Sequence, residues 1–130
     1  MKRLALLLAL AACPATAQIV SGNELYSACN VQGDAGPDIQ YGYCIGFITG
    51  AWEGTKIGVA IIPLMTNPDD TAAEIDAVSN QILGICLPDS VERGQVVAVM
   101  MKYLEENPAS RHEPARSLLR LALMDAFPCQ

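Results

Sequence analysis

Three observations in this 130-residue sequence predict an all-α fold, a single compact bundle of about five helices stapled by two disulfides. Apolar residues recur at helical spacing through the second half of the chain, and no segment alternates polar and apolar residues with β-branched enrichment. Two Ser/Thr-x-x-Glu patterns, Ser21 to Glu24 and Thr71 to Glu74, have the spacing of helix-opening capping boxes. Four cysteines, Cys29, Cys44, Cys86 and Cys129, follow an export-like N-terminus and supply the staples.

Residues 1–17 read as a signal peptide. Lys2 and Arg3 form a basic start, residues 4–12 are an unbroken apolar run, Pro14 breaks the helix, and Ala15-Thr16-Ala17 is a small-x-small cleavage site. Nine apolar residues are too few to cross a ~30 Å hydrocarbon core. A second reading takes Leu10-Ala11-Ala12-Cys13 as a lipobox with Cys13 acylated. Both place the mature chain, residues 18–130, in the periplasm or beyond. That length suits one domain, which buries about 65% of its unfolded surface.

The leader carries two of the eight basic residues and none of the fourteen acidic ones, so the net charge moves from −6 to −8 on processing. Between residues 18 and 90 the single cation Lys56 faces nine acids, with Asp34, Asp38, Asp69, Asp70, Glu74 and Asp76 at their centre. Such a balance argues against nucleic acid and anionic membrane. It suits either a solvated surface or a docking face for a basic protein.

In chain order, the first helix opens at Ser21 and runs through Leu25 and Tyr26 to Cys29, and residues 31–38 form a loop. The second spans about 39–62 and stops before Pro63. Asn67-Pro68-Asp69-Asp70 is a turn. The third helix carries Ile75, Val78, Ile82 and Leu83 as its stripe and stops at Gly84. The fourth runs from about 92 to 106 with Val96, Val99, Met100 and Tyr103 inward. The fifth starts near His112 or Glu113, tolerates Pro114 in its first turn and ends at Pro128. Its inward residues are Ala115, Leu118, Leu119, Ala122, Ala126 and Phe127.

Helix two places glycine at every fourth position: Gly42, Gly46, Gly50, Gly54 and Gly58. Each costs roughly 1 kcal/mol against Ala in a helix interior, so the row demands an offset. Close backbone approach is one, either to the small residues Ala115, Ala122 and Ala126 of helix five or to a second copy in a homodimer. A transmembrane span is disfavoured by Glu53 and Lys56 within the helix.

The cysteines admit three pairings, of which Cys29–Cys44 with Cys86–Cys129 would staple helix ends to their neighbours. They contain no C-x-x-C clip and the chain has one His, so no metal and no cofactor is expected. The one arrangement with chemical potential is Cys44, in the first turns of helix two, with His112 as base. A Cys with disulfide partners and a His without a sheet to carry it make poor hydrolase machinery, so no catalytic residue is expected and the protein is read as a non-enzyme.

Several short runs, in order and spacing, resemble the Rap/Tai family of type VI secretion immunity proteins over nearly the whole mature chain. They are Gly22-Asn23-Glu24-Leu25 leading to Cys29, Tyr43-Cys44-Ile45-Gly46-Phe47-Ile48 with Gly50, and Cys86-Leu87-Pro88 with Gly94-Gln95. The tail adds Lys102-Tyr103-Leu104, Asn107-Pro108, Arg111-His112, Pro114-Ala115 and Ala126-Phe127-Pro128-Cys129. Where the family carries a helix-capping Thr this chain has Glu92, for which Asp89 with Glu92 offers a substitute box. Residues 63–76 match no part of the pattern.

The resemblance implies a small exported helical protein with intramolecular disulfides, often dimeric, which binds a peptidoglycan-cleaving amidase effector and occludes its active-site groove with a loop and adjacent helix surface. The expected contact surface is the turn and its flank: Asn67, Asp69, Asp70 and Glu74. The competing reading is an acidic periplasmic helical chaperone or generic envelope binding protein without a cognate effector.

Overall fold

The computed structural model describes residues 19–30 and 37–129; the expected leader, Cys13 and Asp34 lie outside them. Five helices follow in order: α1 (Gly22–Cys29), α2 (Pro37–Thr66), α3 (Ala72–Leu83), α4 (Arg93–Glu106) and α5 (Ala115–Ala126). A single 3-10 turn, Pro108–Ser110, links the last two. No strand occurs among the described residues, only the isolated bridges Ser21–Pro114 and Ile85–Pro128. The fold is all-α.

Both capping boxes form. The Ser21 hydroxyl accepts from the Glu24 amide while the Glu24 carboxylate accepts from Ser21, and Thr71 and Glu74 do the same for α3. Gly84 ends α3 in the left-handed region at φ 70°, where its amide closes on Asn80 and Gln81 carbonyls. Both cysteine pairs are Cys29–Cys44 and Cys86–Cys129, joining α1 to α2 and the end of α3 to the chain's last turn.

At 30 residues, α2 is about 45 Å long and touches every other helix. Its inward series Cys44, Ile48 and Trp52 meets Leu25 of α1, Met100 and Leu104 of α4 and Leu118, Leu119 and Leu123 of α5 in one core. The buried series ends at Trp52, and beyond it the half-buried Val59 packs against the same core. From residue 53 to residue 82 only Pro63 and Ser79 are buried, so the distal half of α2 and the first turns of α3 stand as an antiparallel two-helix arm. The Lys56 ammonium pairs with the Asp76 carboxylate across it. At its base, α3 is tied back to α5: Arg120 donates to the Leu83 carbonyl and the Cys86 amide to Phe127.

Several expectations need correction. Helix α2 does not stop before Pro63 but runs to Thr66. Proline removes one amide donor, and the turn beyond it is closed by the Thr66 hydroxyl donating to Ile62 and Pro63 carbonyls and by the Asn67 amide donating to Pro63. In α3, Val78 and Ile82 are exposed, and the buried positions are Ser79 and Leu83. Because α3 packs chiefly on α2, a narrow i, i+4 stripe is enough, and the Ser79 hydroxyl is satisfied by the Ile75 carbonyl at 2.7 Å.

In α4, Val97 and Leu104 are buried where Val99 and Tyr103 are only half-buried. The substitute box of Asp89 and Glu92 does not form, because Glu92 occupies the N-cap itself and not the third helical position. Helix α5 begins at Ala115, one residue after Pro114, and Leu123 takes the inward place expected of Ala126.

The glycine row is the largest departure. Gly42, Gly46, Gly50, Gly54 and Gly58 are all exposed, and a Cβ built on any of them meets nothing within 4 Å. The expected close crossing with Ala115, Ala122 and Ala126 of α5 is absent, because α2 turns its bulky Cys44, Ile48 and Trp52 face to that helix. The glycine that does admit close approach is Gly22. A Cβ there would lie 2.5 Å from Leu118 Cδ1 and 2.9 Å from the Arg111 carbonyl oxygen.

Candidate functional site

The residues expected to meet a partner sit where α2 turns into α3, at the free end of the arm. Asn67 accepts at its backbone carbonyl from the Asp70 amide at 3.1 Å, which folds Asn67-Pro68-Asp69-Asp70 into a tight turn. Asn67 and Asp69 are exposed and Asp70 is half-buried. The turn therefore presents its carboxylates to solvent from a short, hydrogen-bonded loop.

Glu74 is brought to the same end but has another task. Its Oε2 accepts from the Thr71 amide at 2.8 Å and from the Thr71 hydroxyl at 2.7 Å. Those bonds, the backbone one foremost, hold its carboxyl below the usual range, so it stays charged while it caps α3. Glu74 contributes negative potential to the tip through a fixed side chain.

Behind the tip, the arm carries a groove of about 310 Å³ between α2 and α3. Ile57 and Ala60 line it from α2 and Ala72 and Ile75 from α3, with the exposed Glu53 and the Lys56–Asp76 pair also in its lining. The Lys56 ammonium also lies 5.9 Å from the centroid of the Trp52 ring, and Asp76 accepts a further bond from the Asn80 side chain at 3.1 Å. The only cation among the described residues of this half is thus fully engaged.

The outer side of α2 is apolar well beyond the groove. Met65 is 80% exposed, with Ile61, Ile62 and Leu64 also in solvent. Residues 39–66 are long and apolar enough to cross a membrane by length and composition, yet the inner side of the same helix is bonded through Cys44 to α1 and packed into the core. The apolar banks of the groove were missed by sequence reading. Their signal was present: a long helix whose apolar residues are not confined to one face, in a chain too small to bury all of them.

The Cys44 and His112 arrangement is not assembled as a nucleophile and base. Cys44 is bonded to Cys29 and inaccessible, whereas His112 is exposed, with Nδ1 3.0 Å from the Ala109 carbonyl and Nε2 3.5 Å from Glu113. Among the described residues, no three of His, Cys, Asp and Glu are grouped to hold a metal ion. What the arrangement can do chemically is bind: an acidic tip and a charged-rim apolar groove on a rigid, cross-linked base.

The family model for Rap1a immunity proteins matches residues 21–129. No match was found among curated proteins or solved structures. The matched region runs from the N-cap serine of α1 to the last disulfide cysteine and takes in both capping boxes, both disulfides and the whole arm. The chain belongs to the Rap1a immunity protein family.

Proposed function

We propose that this protein acts in the periplasm as the immunity partner of a peptidoglycan-cleaving amidase delivered by type VI secretion. On this reading residues 1–17 direct export, by plain cleavage or with a lipid anchor at Cys13. The mature chain then binds the effector stoichiometrically and covers its active-site groove, turning over nothing itself. The observation that carries the reading is the α2–α3 arm. It offers an acidic turn at Asp69 and Asp70 on a long, braced hairpin, a shape suited to entering a cleft, and its sole described cation is neutralised. Negative potential at such a tip speeds encounter with a basic partner and makes it salt-dependent.

The homodimer belongs to the same proposal. Five glycines in one helix cost about 5 kcal/mol against alanine, and among the described residues no atom lies within 4 Å of where their Cβ atoms would stand. A second copy packed on the glycine row would supply the close contacts that α5 does not.

The test is capture from a periplasmic extract by the tagged mature chain. Recovery of one tightly bound cell-wall hydrolase, whose amidase activity falls to nothing at equimolar protein, is expected. A broad set of weakly held proteins would favour the acidic chaperone instead, for which the exposed apolar side of α2 is the supporting feature.

A further inference from the structure

We propose that the α2–α3 groove is the seat of an apolar side chain flanked by lysine or arginine on the partner protein, a contact distinct from the acidic turn. The inference rests on the reading that this chain binds a protein effector, and it names the chemistry of the segment that docks.

The groove has the form of a side-chain receptor. Ala60 of α2 and Ala72 of α3 both line it, and two alanines leave the space that larger residues would fill. Ile57 and Ile75 give it apolar banks. Its walls are tied together by the Lys56–Asp76 ion pair, and the hydroxyl of the buried Ser79 is already satisfied within α3 by the Ile75 carbonyl. An aliphatic or aromatic anchor entering it would lose water against a surface that does not need to rearrange.

Charge fixes the flanks of the occupant. Glu53 stands exposed at the rim without an ion-pair partner among the described residues, and Glu74, Asp69 and Asp70 lie toward the turn. Lys56 cannot answer them because Asp76 holds it. A second copy of this chain docked here by two-fold symmetry would set these carboxylates against their own images, which repel. A segment bearing cations on either side of its apolar anchor meets opposite charge at both edges.

The experiment uses the mature chain, labelled with nitrogen-15, and two synthetic peptides of about a dozen residues. One peptide alternates leucine with lysine, and the other has glutamate in place of every lysine. The lysine peptide is expected to shift the amide signals of Ile57, Ala60, Ala72 and Ile75 and to saturate. The glutamate peptide should bind at least about tenfold more weakly. Ala60→Trp fills the groove and should weaken the lysine peptide by about tenfold or more. Glu53→Lys, on the exposed rim and safe for folding, should weaken it about threefold or more.

Equal binding of the two peptides, shifts confined to other helices, or indifference to both substitutions would overturn the proposal. So would a change in sedimenting mass with Ala60→Trp, since a second copy would then be the occupant. The two readings fail separately. A hydrolase captured equally well by both variants leaves the immunity role standing and removes the groove. Specific peptide docking without any captured hydrolase does the reverse.

Discussion

The guanidinium of Arg111 stacks over the ring of Tyr26, 3.8 Å from its centroid, and no carboxylate among the described residues pairs with it. Its Nε donates to the Leu104 carbonyl and Nη2 to that of Glu105, both orphan acceptors at the end of α4. Its own carbonyl accepts from the Asn23 amide at 2.7 Å, in the first turn of α1. One residue thus closes α4, covers an aromatic ring of α1 and fixes the approach to α5. Lysine cannot reproduce the planar stack with two directed donors. Arg111→Lys should cost about 1–2 kcal/mol in urea unfolding and Arg111→Ala about 2–3 kcal/mol. A lysine variant as stable as the parent would show that the charge alone matters.

Gly22 and the glycines of α2 should respond in opposite directions to alanine. At Gly22 the new methyl meets the Arg111 carbonyl, which is backbone and cannot swing aside, so Gly22→Ala should lose about 1–3 kcal/mol. At Gly46 the space is open, and Gly46→Ala in a monomeric sample should gain about 0.5–1 kcal/mol from helix propensity. If the row packs against a second copy, Gly50→Leu shifts the sedimenting species from dimer to monomer. An unaltered mass for that variant would exclude the glycine face as the contact.

Local chemistry was the legible part of this fold. Ser21 and Thr71 each had Glu three residues on, and each opened its helix as read; Gly84 ended α3 for the same local reason. The pairings of Cys29 with Cys44 and Cys86 with Cys129 were expected from how they would staple helix ends. What failed were judgements about which side of a helix finds a neighbour. Val78 and Ile82 have the right spacing, but α3 packs chiefly on one helix, so its stripe is narrow. The glycine row pointed to close packing, whereas the bulky Cys44, Ile48 and Trp52 face won the core. Periodicity specifies a face, and only tertiary geometry says whether that face is met. Of the candidate site, the acidic turn was readable as a turn, and the groove behind it was not, since it depends on two alanines from different helices.

Acid should loosen both N-termini. Glu24 and Glu74 have carboxyls held below the ordinary glutamate range, chiefly by the backbone amides of Ser21 and Thr71 and then by the hydroxyls of the same residues. A lowered folded-state value means that the stabilisation is complete above the unfolded value and disappears as pH falls through the folded one. The urea midpoint should therefore drop as pH falls below the ordinary glutamate range. Glutamine preserves the box without the charge, so Glu24→Gln with Glu74→Gln should flatten that slope. A slope identical to the parent's would place the acid sensitivity elsewhere.

Neither disulfide leaves a thiol for chemistry. The bonds close loops of 15 and 43 residues, worth about 3 and about 4 kcal/mol in the chain-entropy account. Thiol titration of the purified mature protein should find none in native buffer and none in denaturant without reductant. Cys86→Ser with Cys129→Ser should lower stability by up to about 4 kcal/mol, since it frees the base of α3 from the last turn. A titratable Cys44 in native protein would reopen the nucleophile reading that its bond to Cys29 closes.

Reversing the charge at the tip separates binding from folding. The side chains of Asp69 and Asp70 have no ion-pair partner among the described residues, and the turn is held by backbone bonds from Asp70 to Asn67 and from Asn67 to Pro63. Asp69→Lys with Asp70→Lys should therefore leave the circular dichroism and the urea midpoint within a few tenths of a kcal/mol of the parent. Partner capture should fall about tenfold or more, mainly through slower association, and its salt dependence should weaken with it. Capture at the parental rate would remove the turn from the contact surface and leave the groove and the outer face of α2 as the places to look.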